Sequence, residues 1–156
     1  MSNIHFRTAP GILPIDALGK WQTEHGLIVG PGGMIPSGMH RVSIDTLTLS
    51  LRPSDHILVG FDAYTNSEKW ERRELIVPDV DQATALQCTE TFDEHGIGPS
   101  GCGTVRYVYS ESTSLLLIGI AGGPSATRIR GLSCGILGLG AEGELIEIWV
   151  QNFQFQ

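Results

Sequence analysis

The 156-residue chain has the size of one domain, 1–156, large enough to bury roughly two-thirds of its unfolded surface. Its 41% apolar and only 17% charged residues exclude a disordered segment, since average chains carry about 25% charge. A net charge of −7 with ten scattered Lys and Arg argues against a nucleic-acid partner, because phosphate binding requires clustered basic residues.

The 20 glycines exceed the usual share of about 7%, and beside many short apolar runs they imply many turns, which favours β structure. The longest apolar run, 115–121, is interrupted by Gly119 and falls far short of the ~20 residues of a membrane helix. No membrane partner is expected, and the first residues lack the basic-then-apolar pattern of a secretory leader. Cys88, Cys102 and Cys134 are odd in number and widely spaced, which fits a reduced, cytoplasmic setting. The densest basic group, Lys69, Arg72 and Arg73, interleaves with Glu68, Glu71 and Glu74 and reads as a solvated face.

In chain order, 15–18 with Trp21 reads as a helical turn or a lead-in strand, and periodicity does not decide between them. A short strand at 27–29 leads into a Gly/Pro-rich loop within 26–38. Segment 41–51 alternates, with Val42 and Ile44 on one parity and Leu47, Leu49 and Leu51 on the other. That switch near 45–46 predicts a β-bulge. After a polar turn at 52–56, 57–64 returns as a strand. Further strands are predicted at 71–77, 104–109, 114–120 and 127–130, with a short helix at 81–88 and a glycine-rich loop at 94–103. The 114–120 strand is apolar on both faces. Residues 134–150 then form a hairpin turning on 141–144, and alternation of Phe153 and Phe155 carries its second strand to the end.

Segments 49–64 and 137–151 share a pattern of apolar strand, polar turn and apolar strand. Leu51 matches Leu139, Ile57 matches Leu145, and past one inserted residue Val59 and Phe61 match Ile146 and Ile148. Repeat units of about 27–80 and 104–156 would then face one another. The expected fold is all-β, or mainly β with one or two short helices: an antiparallel sandwich or partly closed barrel.

Val105–Arg106–Tyr107–Val108–Tyr109 followed by Leu115–Leu116–Leu117–Ile118, and the hairpin 139–148, carry a resemblance. This third of the chain resembles a family of short uncharacterised bacterial β modules, a domain of unknown function. Those modules open with V-x-Y-D-x-x-x-D-x-L-Y-I and close with D-x-D-G-x-x-V-G-I-E-I. Ser110 and Ser114 here replace acidic positions, and Gly140 replaces an Asp. The resemblance implies a β-hairpin fold and carries no activity with it.

Chemistry-bearing patterns are sparse. Segment 138–143 spells G-x-G-x-x-G, yet a strand pattern follows it where dinucleotide binding needs a helix N-terminus. Gly30–Pro–Gly–Gly33 lacks the G-K-[ST] of a phosphate loop, and no motif implies a cofactor. Cys102 between two glycines, with His95 seven residues earlier, reads as an ordinary loop thiol rather than a nucleophile. His5, His25, His40, His56 and His95 show no local metal-ligand spacing, and a metal site assembled from His40, Asp45, His56 and Asp62 is not expected. Glu142, Glu144 and Glu147 fall on a turn and its exit strand, where carboxylates are ordinary.

The least generic stretch is Asp62, which interrupts an apolar strand, with Tyr64 on its face and Asn66 and Trp70 following. With His56 these residues form the candidate binding set: a carboxylate, a phenol, an amide and an indole suit a recognition pocket or an interface anchor. The competing reading makes Asp62 an outward charge and 65–66 a turn with Asn capping. The expected function is a non-catalytic binding or protein-interaction module, one version being an immunity protein that neutralises a basic toxin. The alternative is a small-molecule-binding or enzymatic β-barrel with its pocket near Asp62 and Tyr64. A homodimer is also expected, on the argument that 114–120 would otherwise be a bare edge.

Overall fold

The computed structural model describes residues 4–10, 16–22, 26–120, 123–153 and 155. Among these, fifteen strands run in chain order: β1 (Phe6–Thr8), β2 (Leu18–Gln22), β3 (Gly26–Gly30), β4 (His40–Ile44), β5 (Leu47–Leu51), β6 (Leu58–Ala63), β7 (Glu71–Arg72), β8 (Gln82–Ala83), β9 (Leu86–Cys88), β10 (Ile97–Gly101), β11 (Arg106–Ser110), β12 (Leu115–Gly119), β13 (Thr127–Leu132), β14 (Gly135–Leu139) and β15 (Leu145–Val150). Two single 3-10 turns, Pro31–Gly33 and Ser67–Lys69, complete the regular structure. No helix among the described residues is long and apolar enough to cross a membrane.

The strands form an all-β sandwich rather than a closed barrel. One sheet has the order β10-β4-β5-β6-β3-β2, the other β7-β11-β12-β15-β14-β13-β8. Alternation decides which residues meet between them. Val42, Ile44, Leu47, Leu49, Phe61 and Ala63 point inward from the first sheet, against Leu116, Ile118, Leu137, Leu139, Ile148 and Val150 from the second. An aromatic cluster of Trp21, Trp70, Tyr109, Phe153 and Phe155 extends this core.

A third, two-stranded sheet of β1 and β9 bridges the two large ones. Ile57 pairs with Gln87 on one side, and His5 with Glu144 on the other. Gly143 makes the second junction possible: its φ of +85° suits the turn, and a Cβ there would stand 2.6 Å from the Phe6 carbonyl oxygen.

Several expectations change. The parity switch at 45–46 is a two-residue hairpin turn with Asp45 at φ +54°, so Ile44 faces Leu47 and both point inward without a bulge. Segment 81–88 is not a helix but the two short strands β8 and β9. Its backbone groups are drawn into tertiary bonds, from Asp81 N to the Arg128 carbonyl and from Thr84 N to that of Arg130. The loop 94–103 contains β10, a parallel edge strand in which Gly98 packs against Val42 and Phe92. Of 71–77 only Glu71–Arg72 is strand. The last strand ends at Val150, after which Asn152 turns at φ +53° and Phe153 folds back onto the core. Leu18–Gln22 resolves as a strand, while residue 15 lies outside the described residues. Segment 114–120 supplies β12, apolar on both faces as read, but interior between β11 and β15. The bare-edge argument for a dimer is therefore removed.

Candidate functional site

Asp62 stands in β6 between Thr48 of β5 and Ile28 of β3. Because Phe61 and Ala63 point into the core, the pleat turns Asp62 to the outer face of the six-stranded sheet. It is half-buried there and accepts no hydrogen bond from another described residue. Burial raises its carboxyl above the ordinary range, and the Arg41 guanidinium pulls weakly the other way.

Asp62 lies where two grooves meet. The first, of about 490 Å³, is lined by Gln22, Ile28, Met34, Ile35 and Tyr64 besides Asp62 itself. The second, of about 430 Å³, runs past Ile35, His40, Arg41 and Ser50 to Glu94 and His95. The loop after β3 forms their common wall. It can do so because Gly32 and Gly33 take φ of +65° and +80°, turning Met34 back so that its N–H donates to the Pro31 carbonyl. Tyr64, on the same outward parity as Asp62, is 67% exposed at the rim.

The remaining candidates lie elsewhere. Asn66 caps the Ser67–Lys69 turn, its Oδ1 accepting from Glu68 N at 3.1 Å, which is the capping geometry weighed from composition. Trp70 is only 5% exposed. Its Nε1 donates to Thr65 Oγ1 at 3.0 Å and its ring stacks on Tyr107, so it is a core residue and not a surface anchor. Both border a separate groove of about 350 Å³. The Tyr107 hydroxyl beneath it makes no hydrogen bond of ordinary geometry; burial pushes it up to about 12, with Thr46 acting weakly in the opposite sense.

His56 sits beyond the end of the second groove. Its Nε2 lies 3.2 Å from His40 Nδ1, and its ring packs on Phe92 at 4.2 Å. It adjoins the Asp62 surface through His40, which lines that groove as His56 does not. Asp45 is spent at the opposite end of β4, where its carboxylate accepts from Val105 N at 3.1 Å. The structure therefore brings Asp62 and Tyr64 together and separates Asn66, Trp70 and His56 from them. Sequence reading passed over Ile28, Met34, Ile35, Arg41 and Ser50. Arg41 and Ser50 could have been found from parity, since they face outward with Asp62, whereas Met34 and Ile35 stood in a Gly/Pro-rich loop without periodicity.

Chemically the site offers one partly desolvated carboxylate, an aromatic rim and an apolar wall. That combination holds a cationic or hydrogen-bond-donating group by its head and its hydrocarbon part by its sides. No family model matches the chain, and no curated protein matches it.

Proposed function

We propose that this protein is a non-catalytic binding module that takes a protein partner on the outer face of its six-stranded sheet, with Asp62 at the centre of the contact. The observation that carries this reading is the position of Asp62, half-buried and free of hydrogen bonds from other described residues, where two grooves meet. Carboxylates are rarely left partly desolvated without a partner, because the charge then lacks both water and a counter-ion. The net charge of −7 favours a basic partner, and neutralisation of a toxic basic protein is one form of that role. An odd number of widely spaced cysteines supports a reducing, cytoplasmic setting.

A second reading has its own support. A groove of about 490 Å³ with an apolar wall and a convergent carboxyl lies within the size range of small-molecule sites. Native mass spectrometry of the protein purified gently from its own host separates the two and gives the subunit count in the same spectrum. A co-purifying protein that is lost on Asp62→Asn supports the interaction module. A retained small mass lost on the same substitution supports the second reading. Bound species indifferent to Asp62→Asn and Tyr64→Ala, or no bound species at all, would overturn the assignment of this face.

A further inference from the structure

The two large sheets share one connectivity. In each, a hairpin (β2-β3 or β11-β12) is followed by a three-stranded meander (β4-β5-β6 or β13-β14-β15) whose last strand inserts beside the hairpin, and a parallel strand is added at the far edge. The register irregularities coincide as well. One falls after Ser50 opposite Gly60, the other after Gly138 opposite Glu147. Counting from these, Phe61 corresponds to Ile148 and Asp62 to Trp149, with Ile28 corresponding to Leu117 and Thr48 to Ile136. Leu145, which faces Leu139, then corresponds to Leu58, which faces Leu51, and not to Ile57.

Equivalent places are treated in opposite ways. On the seven-stranded sheet the outer face is crossed by the chain itself: residues 73–81 run as a strap from β7 at one edge to β8 at the other. Leu75 and Val80 cover Val108, Leu115, Leu117, Ile136 and Trp149. The strap is fastened at both ends by its backbone, Arg73 N to the Tyr109 carbonyl at 3.2 Å and Asp81 N to that of Arg128 at 2.8 Å. On the six-stranded sheet the corresponding face holds Asp62 and its two grooves, which together cross from Gln22 on β2 to His95 beside β10.

Resting on the binding reading above, we infer that the partner presents an extended segment that crosses the six-stranded sheet as the strap crosses the other, placing one Lys or Arg side chain on Asp62. Five inter-strand steps at about 4.8 Å make a crossing of roughly 24 Å, which about seven extended residues span. The cationic head meets the half-buried carboxylate, and its methylene stem lies along Ile28, Met34 and Ile35. The exposed Tyr64 ring stands at the rim, where a cation or an apolar side chain can lie against it. Where the strap meets Trp149 with hydrocarbon, the partner meets Asp62 with charge.

The test is selection of phage-displayed random nonapeptides on the intact chain, followed by fluorescence anisotropy with the selected peptides. The expected result is a Lys or Arg at one fixed position. Affinity then falls at least tenfold when that residue becomes norleucine, and again on Asp62→Asn or on Met34→Lys, which adds a competing cation at an exposed position. Amide resonances of Gln22, Ile28, Thr48 and Ser50 shift on binding. Failure to enrich any peptide, enrichment without a fixed basic residue, or affinity indifferent to Asp62 would overturn the inference. The host-purified species decides the binding reading separately: if it depends on Asp62 while no basic peptide binds, the face is a site for another ligand and only the extended-segment inference falls.

Discussion

Asp62 opposes the fold when it is ionised. Its carboxyl is raised by burial, so the stability it contributes is fully present below the ordinary carboxylate range, near pH 4, and is lost as pH rises through the raised value. Asp62→Asn is therefore expected to raise thermal stability at pH 7. Discounted for solvent at a half-exposed site, the gain is about 0.5 kcal/mol, or roughly 1–2 °C in Tm, and it vanishes below about pH 4. Calorimetry across that range checks it, and the same variant losing its partner would be the signature of a residue kept for binding at some expense of stability. A second expectation concerns the thiols. Burial pushes Cys88 and Cys134 up to about 11, while Cys102 is exposed. Alkylation with iodoacetamide at pH 8 should modify one thiol per native chain and three in denaturant, read by intact mass.

Turn and strap make sharper tests at the level of elements. Gly32 and Gly143 both adopt left-handed backbone, yet a Cβ at Gly32 would meet nothing within 4 Å, whereas at Gly143 it would meet the Phe6 carbonyl oxygen at 2.6 Å. Gly32→Ala is expected to cost about 1 kcal/mol for conformation alone, and Gly143→Ala about 2–4 kcal/mol with loss of amide-exchange protection at Phe6 and Leu145. On the strap, Leu75→Ala should cost about 2–3 kcal/mol in urea unfolding, and Ile76→Ser, at an 86% exposed neighbour, less than about 0.5. These elements also show how far the sequence could be read. Strands β4 and β5 were legible from the period of two in Val42, Ile44, Leu47 and Leu49, and β6 as the apolar run that returns after a polar turn. Asp62 was legible because a carboxylate breaks such a run. Tyr64 was legible by the same parity, but Asn66 and Trp70 were not, since β6 ends at Ala63 and the Ser67–Lys69 turn sends Trp70 inward, a change of direction that spacing does not record. The strap escaped for a related reason: its first part, 73–77, has strand-like composition, but it crosses a sheet instead of joining one.

For the whole molecule, acid should weaken the fold through three other carboxylates. The Arg52 guanidinium lowers Asp55, the Arg128 N–H and Thr127 hydroxyl lower Asp81, and the Ile97 N–H lowers Asp93. Their contribution is present above the ordinary carboxylate pKa and is lost as pH falls below about 4 through the depressed values, opposite in sign to Asp62. Circular dichroism between pH 5 and pH 2 should show a falling denaturation temperature, and Asp81→Asn should flatten part of that fall while loosening the fastened end of the strap. The bridging sheet has a different consequence, in time instead of energy. β1 and the residue before it bond to partners far along the chain: His5 N reaches Glu90, 85 positions away, Phe6 N reaches the Gly143 carbonyl, and β1 itself pairs with β9. β9 can pair with β1 as soon as it is made, but the junction with the β14–β15 hairpin closes only once that hairpin has formed. The bridging sheet is thus completed late, so folding should be slow, as expected where long-range pairing dominates.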